Sequence, residues 1–547
     1  MTRPREPLLR TWIVLGVFLG SILLVLIVAR PGTEARRGAP LADSASGASG
    51  RAEGSNGDPG PSPSSSGASF SEPPSEGALA TRAPTGVPVE LTVGARAVAP
   101  SAPRDFLGLS FEAADLPRIG AYATRGNLRA LLDGLGPEVL RFGGVSADRE
   151  TAWGAPHAPP PSWARRVITP HALSALATLA RETRSRVLLT VNLGRYDPRA
   201  AALEARAARA ILGPSLAGVE LGNEPDAYVR QHMRPPGWGI AAYRPQAAAY
   251  RAALARAAPG VPILAPDASS GLPGLAWVRA VALRDPGSPL ADHYYPSSSC
   301  GYAPTVSDLL SPRTRRVETG MLALIARLAR GGAPHAIPLR LDETNNISCE
   351  GQAGVSNAFV SALWALDYIA RALRAGIPGV NFHDLIRKPA AYSPIAASDR
   401  AALISGRLHA NPEYYALLAA RTLPGAAPLA THLSGLVEGQ RASESLTAHA
   451  FLRPDRRLEL VLVDFAPPGA PPLLLRLRPP GDFRAGSILR LRAPSPASLA
   501  GVTLGGRAVR ADGTWSPEPR LPGPYRHAGT LSLQMPPSSA AVVILRR

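Results

Sequence analysis

The stretch GVELGNEPDAY, residues 218–228, contains the feature from which the fold can be argued. Its first half is a short apolar run, which is typical of a buried strand. The run then ends on Asn223, Glu224 and Pro225, and proline does not continue a central strand. An amide and a carboxyl at this position raise the hypothesis of a functional site. If Glu224 works in a pair of carboxyls, its partner must follow another strand of the same sheet.

Similar apolar runs alternate with Ala- and Leu-rich helical stretches between about residues 104 and 385. The eight runs are FLGLSF, EVLRF, RVLLTVN, GVELG, PILAP, LADHYY, IPLRL and GVNFH. Eight strand–helix units in roughly 280 residues have the length of a (β/α)8 barrel, an α/β fold. A doubly wound open sheet is the alternative, but no Gly-rich phosphate loop follows the first run. We therefore predict a TIM barrel over residues 104–420.

After about residue 420 the helical pattern gives way to short β-rich runs separated by Pro and Gly turns, such as LTAHAFL, RLELVLVDF and TLSLQM. This pattern predicts a C-terminal antiparallel β-sandwich over residues 421–547. The segment PVELTVGARAVA, within residues 87–103, alternates like a half-buried strand. We expect it to join the sandwich as an edge strand.

The N-terminus predicts a membrane anchor. A basic decapeptide precedes TWIVLGVFLGSILLVLIVA, which carries no charge from Thr11 to Ala29 and as a helix is about 28 Å long, near the hydrocarbon thickness. We interpret residues 1–30 as a cytoplasmic tip and transmembrane signal anchor, with a cleaved signal as the alternative. Residues 31–86, rich in Gly, Ser and Pro, predict a disordered linker. The catalytic part would then be membrane-anchored and extracytoplasmic, either periplasmic or extracellular.

The chain of 547 residues has a formal net charge of +18, and Lys388 is its only lysine. The arginines are spread along predicted helices rather than gathered into one run, which favours compositional bias on solvated faces over a nucleic-acid interface. We therefore predict no nucleic-acid partner. Such a surface still favours anionic substrates or an anionic envelope.

Polar residues stand where each predicted strand ends, and in a barrel these ends converge on one mouth. They are Glu112, Arg141, Asn192, Asn223 with Glu224, Asp267, His293 with Tyr294 and Tyr295, Asp342 with Glu343, and Asn381 with His383. Strands four and seven lie on opposite sides of a barrel, so Glu224 and Glu343 can face each other. Two carboxyls about 5 to 5.5 Å apart are what a retaining glycosidase requires. We predict Glu224 as the acid/base, Glu343 as the nucleophile, and a contact of Asn223 with the sugar 2-hydroxyl.

At these strand ends the sequence resembles the clan A retaining glycoside hydrolases, and among them family 79, the β-glucuronidases and heparanase-like enzymes. The likeness runs from about residue 86 to 547 and includes FLGLSFE, VLRFGG, ELGNEPD, DHYYP, LRLDETNN, GVNFHD and YSPI. It implies the same roles for Glu224, Glu343 and Asn223, and it makes Tyr295 or Tyr294 the tyrosine that hydrogen-bonds the nucleophile. One departure concerns subsite specificity, because many relatives have Asn after GG where this chain has Val145.

The other strand-end residues have open interpretations. Glu112, Asn192, His293 and His383 are candidate substrate contacts, each with a structural alternative, which for Glu112 is a salt bridge at the top of the barrel. For Arg141 a structural ion pair is favoured over a substrate contact. No spacing of His, Asp and Glu suggests a metal, and hydrolysis by paired carboxyls requires neither metal nor cofactor.

Cys300 and Cys349 closely follow strands six and seven. They are too few for a disulfide scaffold and lack zinc-ligand spacing. Adjacent loops at the mouth can bring their α-carbons within the roughly 4.4 to 6.8 Å that a disulfide requires, and export permits oxidation. We predict a disulfide that braces the rim beside the nucleophile, with two free thiols as the alternative.

The function predicted from the sequence is therefore retaining hydrolysis of a β-linked glucuronate, in the manner of an exo-β-glucuronidase. The predicted partner is a uronate-containing carbohydrate. Two alternatives remain open at this point. One is a clan A glycosidase that acts on a neutral sugar, and the other is an inactive carbohydrate-binding envelope protein on a degenerate barrel.

Overall fold

The apolar runs form a nearly closed parallel sheet in the computed structural model, which describes residues 84–155, 159–284, 289–330, 339–437, 440–483, 485–527 and 529–547. The sheet consists of nine segments: Leu107–Glu112, Val139–Gly143, Arg186–Val191, Leu216–Leu221, Ile263–Leu264, Asp267–Ala268, Leu290–Tyr294, Leu339–Thr344 and Val380–Asp384. Ile263–Leu264 pairs with strand four and Asp267–Ala268 with strand six, so the two are halves of one barrel strand. Eight strands result, and the eighth pairs with the first along its whole length. The predicted (β/α)8 barrel is confirmed.

Helices follow the barrel strands and cover the outside of the sheet. They are Leu116–Ala121, Leu128–Leu135, Val145–Arg149, Pro170–Thr183, Pro198–Leu212, Ile240–Ala257, Leu272–Ala282, Val306–Leu310, Pro312–Arg330, Phe359–Ala375, Arg400–Ser405 and Pro412–Ala420. The helix Phe359–Ala375 ends at Gly376, which takes a left-handed φ of 82° and whose N–H bonds the last carbonyls. Short 3-10 turns lie at Ala113–Asp115, Gly213–Ser215, Pro225–Ala227 and Ala442–Glu444.

A second sheet has ten strands, one that precedes the barrel in sequence and nine that follow it. Its strands are Val87–Ala97, Ala427–Ser434, Leu446–Leu452, Leu458–Asp464, Leu473–Arg478, Ala485–Arg492, Thr503–Leu504, Tyr525–His527, Thr530–Met535 and Ser539–Arg546. Side chains from eight of these strands share one hydrophobic cluster, so the sheet curls over a common core instead of forming two separate sheets. Four small two-stranded pairs complete the strands: Thr151–Trp153 with Arg166–Ile168, Ser297–Ser298 with Ile347–Ser348, Ile395–Ala396 with His409–Ala410, and Leu436–Val437 with Gln440–Arg441.

The N-terminal strand Val87–Ala97 lies inside the ten-stranded sheet, and the prediction that it forms an edge is wrong. It is antiparallel to Ala427–Ser434 on one side and parallel to Leu473–Arg478 on the other. Val89 and Leu91 point into the core and are buried, which explains the alternation in the sequence. The sheet is therefore not purely antiparallel.

The barrel and the ten-stranded sheet pack together through the helix Phe359–Ala375, whose side chains from Phe359 to Leu373 are all buried. A buried hydrogen bond joins the two parts, because Asp367 of this helix lies 2.7 Å from His449 Nε2 of the strand Leu446–Leu452. The barrel is thus held from one side by a second structural unit, which leaves its strand ends to the site described below.

The transmembrane helix predicted for residues 1–30 lies outside the described residues, as does the linker up to residue 83. In the part of the chain that the structure describes, none of the helices combines the length and apolarity needed to cross a bilayer.

Candidate active site

The end of barrel strand four turns sharply into the mouth of the barrel. Asn223 N donates to Asp148 Oδ2 at 2.6 Å, and Glu224 N donates to the Asp267 carbonyl at 3.0 Å. Glu224 then adopts φ 54° and ψ 55°, a left-handed conformation that is rare for a non-glycine residue and clusters at functional sites. Pro225 begins a short turn directly after it. The strand ends on this amide, carboxyl and proline because the turn points the Glu224 side chain into the mouth.

The side chains of Glu224 and Glu343 meet across the mouth. Glu343 lies in barrel strand seven, and its carboxylate has an oxygen within 4.8 Å of an oxygen of Glu224. The Glu224 side chain is 20% exposed and that of Glu343 is 9% exposed. This spacing is close to the roughly 5 to 5.5 Å of retaining glycosidases and below the roughly 6.5 to 9.5 Å of inverting ones.

Glu343 is surrounded by donors. Arg141 Nη1 donates to Oε2 at 2.8 Å, Tyr295 Oη donates to Oε1 at 2.9 Å, and His383 Nδ1 lies 3.4 Å from Oε1. Burial raises the pKa of Glu343, but the neighbouring His293, His383 and Arg141 outweigh it and hold the pKa well below its usual range. Glu343 is therefore a carboxylate at neutral pH, which is the form a nucleophile requires.

Arg141 lies fully buried in the barrel and bonds four other side chains of the site. Its guanidinium bonds Glu220 at 2.9 Å, Asp267 at 2.6 Å and Asn223 Oδ1 at 2.9 Å, in addition to Glu343. Burial lowers the pKa of Arg141, but these carboxylates raise it well above its usual value, so the cation is permanent. The structure therefore agrees with the ion-pair interpretation of Arg141.

The glycines of the VLRFGG motif make room for two of these charged groups. A methyl group on Gly143 would lie 2.4 Å from Arg141 Cζ, and one on Gly144 would lie 2.6 Å from the Glu112 carboxyl. Gly144 also has a φ of +68°. A side chain at either position would displace a charged group of the site.

His293 connects Glu224 to the charged core. Its Nδ1 lies 3.0 Å from Glu224 Oε1, and its Nε2 lies 2.8 Å from Asp267 Oδ1. Burial lowers the pKa of His293, but Glu343 and Asp267 raise it well above its usual value. The imidazole is thus a cation paired with the Asp267 carboxylate.

Among the residues that the structure describes, two sets of side chains come close enough to be considered as metal ligands, and His293 belongs to both. They are Glu224 with His293 and Glu343, and Asp267 with His293 and Asp342. A histidine ligand must be neutral, whereas Glu343 and Asp267 raise the pKa of His293 and favour its protonated form. Arg141 already supplies a second positive charge to this cluster. The arrangement fits an ion-pair network and not a metal centre.

Two further predicted residues lie beside the pair. His383 contacts Tyr295 Oη at 3.1 Å and lies 3.9 Å from Glu112. Glu112 accepts a hydrogen bond from Ser146 N at 2.9 Å, and burial raises its pKa. Val145 is 37% exposed, so an apolar side chain occupies the position after the two glycines.

Two other candidates have structural surroundings instead. Tyr294 is buried and stacks on Tyr368, with ring centroids 6.1 Å apart, so Tyr295 is the tyrosine that meets the nucleophile. Asn192 donates to the Asp148 and Thr151 carbonyls, and its Oδ1 accepts from Arg195 N at 2.8 Å. Both amide protons of Asn192 are used within the loop, so we assign it to loop structure.

Three residues of the site were not predicted as such. Gln231 Nε2 donates to Glu224 Oε2 at 3.1 Å, Asp148 holds the Asn223 backbone, and Tyr392 Oη lies 3.1 Å from His383 Nδ1. Tyr392 belongs to the YSPI motif, which could have marked it. Gln231 and Asp148 come from loops and short helices, where the strand-end rule gives no signal.

The predicted disulfide is present at the rim of the mouth. Cys300 and Cys349 have α-carbons 5.8 Å apart, and the short parallel pair Ser297–Ser298 with Ile347–Ser348 lies directly before them. The bond joins the loops that follow strands six and seven. These are the strands that carry His293 and Glu343.

Comparison with known proteins gives both a sequence relative and structural neighbours. The chain is 29% identical over 193 residues to a β-glucuronidase of Aspergillus niger, and the match covers 32% of this chain and about a third of the relative, 36%. Its structure is similar to a 4-O-α-L-rhamnosyl-β-D-glucuronidase of Fusarium oxysporum, with a TM-score of 0.66, 19% identity and coverage of 83% of this chain and 99% of that one. A GH51 arabinofuranosidase of Xanthomonas axonopodis gives a TM-score of 0.61 at 14% identity, covering 84% of this chain and 100% of that one.

No protein-family model matches the chain. The structural neighbours establish the fold, a (β/α)8 barrel with an accompanying β-sheet, and the sequence relative carries the likeness to β-glucuronidases. The chain therefore resembles the family 79 type of glycoside hydrolase, as its motifs predict.

Proposed function

We propose that this protein is a retaining glycoside hydrolase that removes β-linked glucuronate by double displacement. The observation that carries the proposal is the approach of Glu224 and Glu343 to within 4.8 Å, one of them held ionised. A pair at this spacing leaves no room for a water molecule behind the sugar, so the second carboxylate itself is the nucleophile.

In the first step, Glu343 attacks the anomeric carbon while Glu224 gives its proton to the leaving glycosidic oxygen. The C–O bond to the aglycone breaks and an ester bond to Glu343 forms. In the second step, Glu224 takes a proton from water, whose oxygen displaces Glu343 from the same carbon. The product keeps its anomeric configuration, and both carboxyls return to their starting states.

The neighbouring groups support this cycle. Tyr295 and Arg141 donate to Glu343 and orient it for attack. Asn223 Oδ1 is held by Arg141, which leaves the amide nitrogen to donate to the sugar 2-hydroxyl. His293 and Gln231 hold the two oxygens of Glu224.

The choice of a uronate rests on the relatives and on charge. A β-glucuronidase and a rhamnosyl-glucuronidase are among the proteins to which the chain is similar. The net charge of +18 attracts anionic substrates. We also propose an extracytoplasmic location, because the disulfide at the rim is typical of proteins from oxidising compartments.

The test is hydrolysis of a panel of nitrophenyl glycosides by the full chain and two variants. We expect the glucuronide to be cleaved with retention, observed by NMR of the first-formed product. Glu343→Gln should lose activity on every leaving group. Glu224→Gln should keep more activity on nitrophenyl than on an alkyl glucuronide, because nitrophenolate leaves without protonation. Cleavage of neutral glycosides alone, or inversion, would overturn the proposal.

A further inference from the structure

A basic cleft lies on the outer wall of the barrel, between the helices Pro198–Leu212 and Ile240–Ala257. Its volume is about 590 Å³. Small alanines from both helices form the floor, and Arg199, Arg206 and Arg256 stand around it. We call this feature the arginine cleft.

The three arginines of the cleft outnumber its single carboxylate, so the cleft has a net positive charge. Within the described part of the chain none of their guanidinium groups forms an ion pair, although many other arginines of the barrel do. The one carboxylate that lines the cleft, Asp197, caps the helix by accepting from Arg199 N and Ala200 N. The arginine cleft is therefore an anion-attracting surface and not part of a surface ion-pair network.

The nearest acidic residue on the same helix does not balance this charge. Glu204 lies between Arg199 and Arg206 in sequence but on the buried face, with 6% of its surface exposed. Burial raises the pKa of Glu204 to about 8, so it is mostly neutral at pH 7. Glu204 therefore does not offset the charge of the cleft, where Asp197 at the N-cap is the one carboxylate against three arginines.

The upper end of the cleft is fixed to the rim of the catalytic mouth. Tyr196, which is 48% exposed, lines the cleft from the loop after barrel strand three. Its ring packs on Tyr250 with centroids 5.7 Å apart, and Tyr250 Oη donates to the Asn192 carbonyl at the end of that strand. Arg199 and Arg206 follow along about 10 Å of helix away from the rim. An exposed aromatic ring followed by spaced cations suits a chain of sugars that carry carboxylates.

We propose that the arginine cleft binds a segment of an acidic glycan outside the catalytic mouth, so that the natural substrate is a uronate-containing polymer. The identity of the ligand as a glycan rests on the proposed function, whereas the capacity to bind an anionic chain does not. The protein then engages its polymer at two places, the chain end in the mouth and a remote segment in the cleft. The cleft contributes to binding of long substrates and leaves small ones unaffected.

The test compares two triple variants of the full chain, each also carrying Glu343→Gln so that the probe survives. The first replaces the cleft residues Arg199, Arg206 and Arg256 by Gln. The second is the matched control, in which the exposed helix residues Arg209, Arg279 and Arg327, which lie outside the cleft, are replaced by Gln. The net charge falls by the same amount in both. The probe is a fluorescein-labelled hyaluronan decasaccharide, and binding is measured by fluorescence anisotropy at low salt.

We expect the cleft variant to bind the decasaccharide about tenfold more weakly than the control variant, since three exposed ionic contacts are lost. Without the Glu343 change, both variants should show the same KM for nitrophenyl glucuronide. Equal affinity of the two variants for the decasaccharide would overturn the proposal, because net charge alone would then explain binding. Tighter binding of a single-stranded oligonucleotide than of the decasaccharide at the cleft would also overturn it. Failure to cleave any glycoside would instead refute the proposed function, which the binding assay does not use.

Discussion

The replacement of Arg141 by methionine tests the central charge arrangement of the barrel. Arg141 and its partners Glu220 and Asp267 are fully buried, with contacts of 2.9 Å and 2.6 Å, and Glu343 is bound at 2.8 Å. Methionine has a similar length and no charge. The variant therefore keeps the packing but leaves three buried carboxylates without their common cation.

We expect this change to cost about 3 to 5 kcal/mol of unfolding free energy at pH 7, the range for breaking a buried ion pair. The free-energy contributions of the three contacts are not additive, because a buried carboxyl that loses its cation can take up a proton instead. Proton uptake limits the loss of unfolding free energy and also makes this loss depend on pH. In particular, Arg141 is one of the groups that hold the pKa of Glu343 low.

The sign of this dependence follows from proton binding. Without Arg141, the folded variant has carboxyls whose pKa is raised above the unfolded value, so it binds more protons than the unfolded chain as the pH falls. As the pH falls from 8 to 5, the unfolding free energy of the variant therefore rises relative to that of the parent. The difference in unfolding free energy should be largest at pH 8 and smaller at pH 5.

Urea unfolding followed by tryptophan fluorescence at pH 5, pH 7 and pH 8 measures the loss of unfolding free energy and its dependence on pH. Arg129→Met is the control, because its ion pair with Glu182 is exposed on both sides and is expected to contribute less than about 1 kcal/mol. A loss at pH 7 no larger than that of the control, or equal losses at pH 5 and pH 8, would refute the account of Arg141 as the shared counter-ion.

Two further substitutions, one of them with a matched control, test the surroundings of the nucleophile and the disulfide at the rim. Tyr295→Phe removes a donor to ionised Glu343, so the pKa of Glu343 should rise and the acid limb of the kcat/KM profile should move to higher pH. Tyr294→Phe, whose parent ring stacks outside the site, should leave that limb in place, and equal shifts would contradict the assignment. Cys300→Ser opens a disulfide with a sequence separation of 49 and should cost up to about 4 kcal/mol by loop-closure entropy. Dithiothreitol should lower the urea midpoint of the parent but not of this variant, and an unchanged parent midpoint would argue against the prediction.

The barrel could be predicted because each strand is a short apolar run that local sequence determines. The pairing of strands that are far apart in sequence could not be predicted in this way. Nothing local in Val87–Ala97 reveals that Leu473–Arg478 lies beside it, since partner choice in a sheet depends on residues hundreds of positions away. The strand Ala427–Ser434 was not predicted at all, because its sequence APLATHLS contains few of the β-branched and aromatic residues that mark a strand.

The site was predictable where it is built from strand ends. Glu224, Glu343, His293 and His383 meet because the topology of the barrel brings those ends together. The choice between the two tyrosines could have been made from alternation, since side chains two apart share a face and His293 points inward. Gln231 could not be found this way, because it approaches Glu224 from an irregular turn.

The interior position of Val87–Ala97 sets limits on how the polypeptide can be divided. The segment that precedes the barrel in sequence fills a gap between Ala427–Ser434 and Leu473–Arg478, so the two extremities of the folded region complete one another. A fragment that begins at residue 98, or one that comprises only residues 421–547, would carry two unpaired strand borders open to self-association. During synthesis the strand Val87–Ala97 must also wait until residues 427–478 have been made before it finds both neighbours.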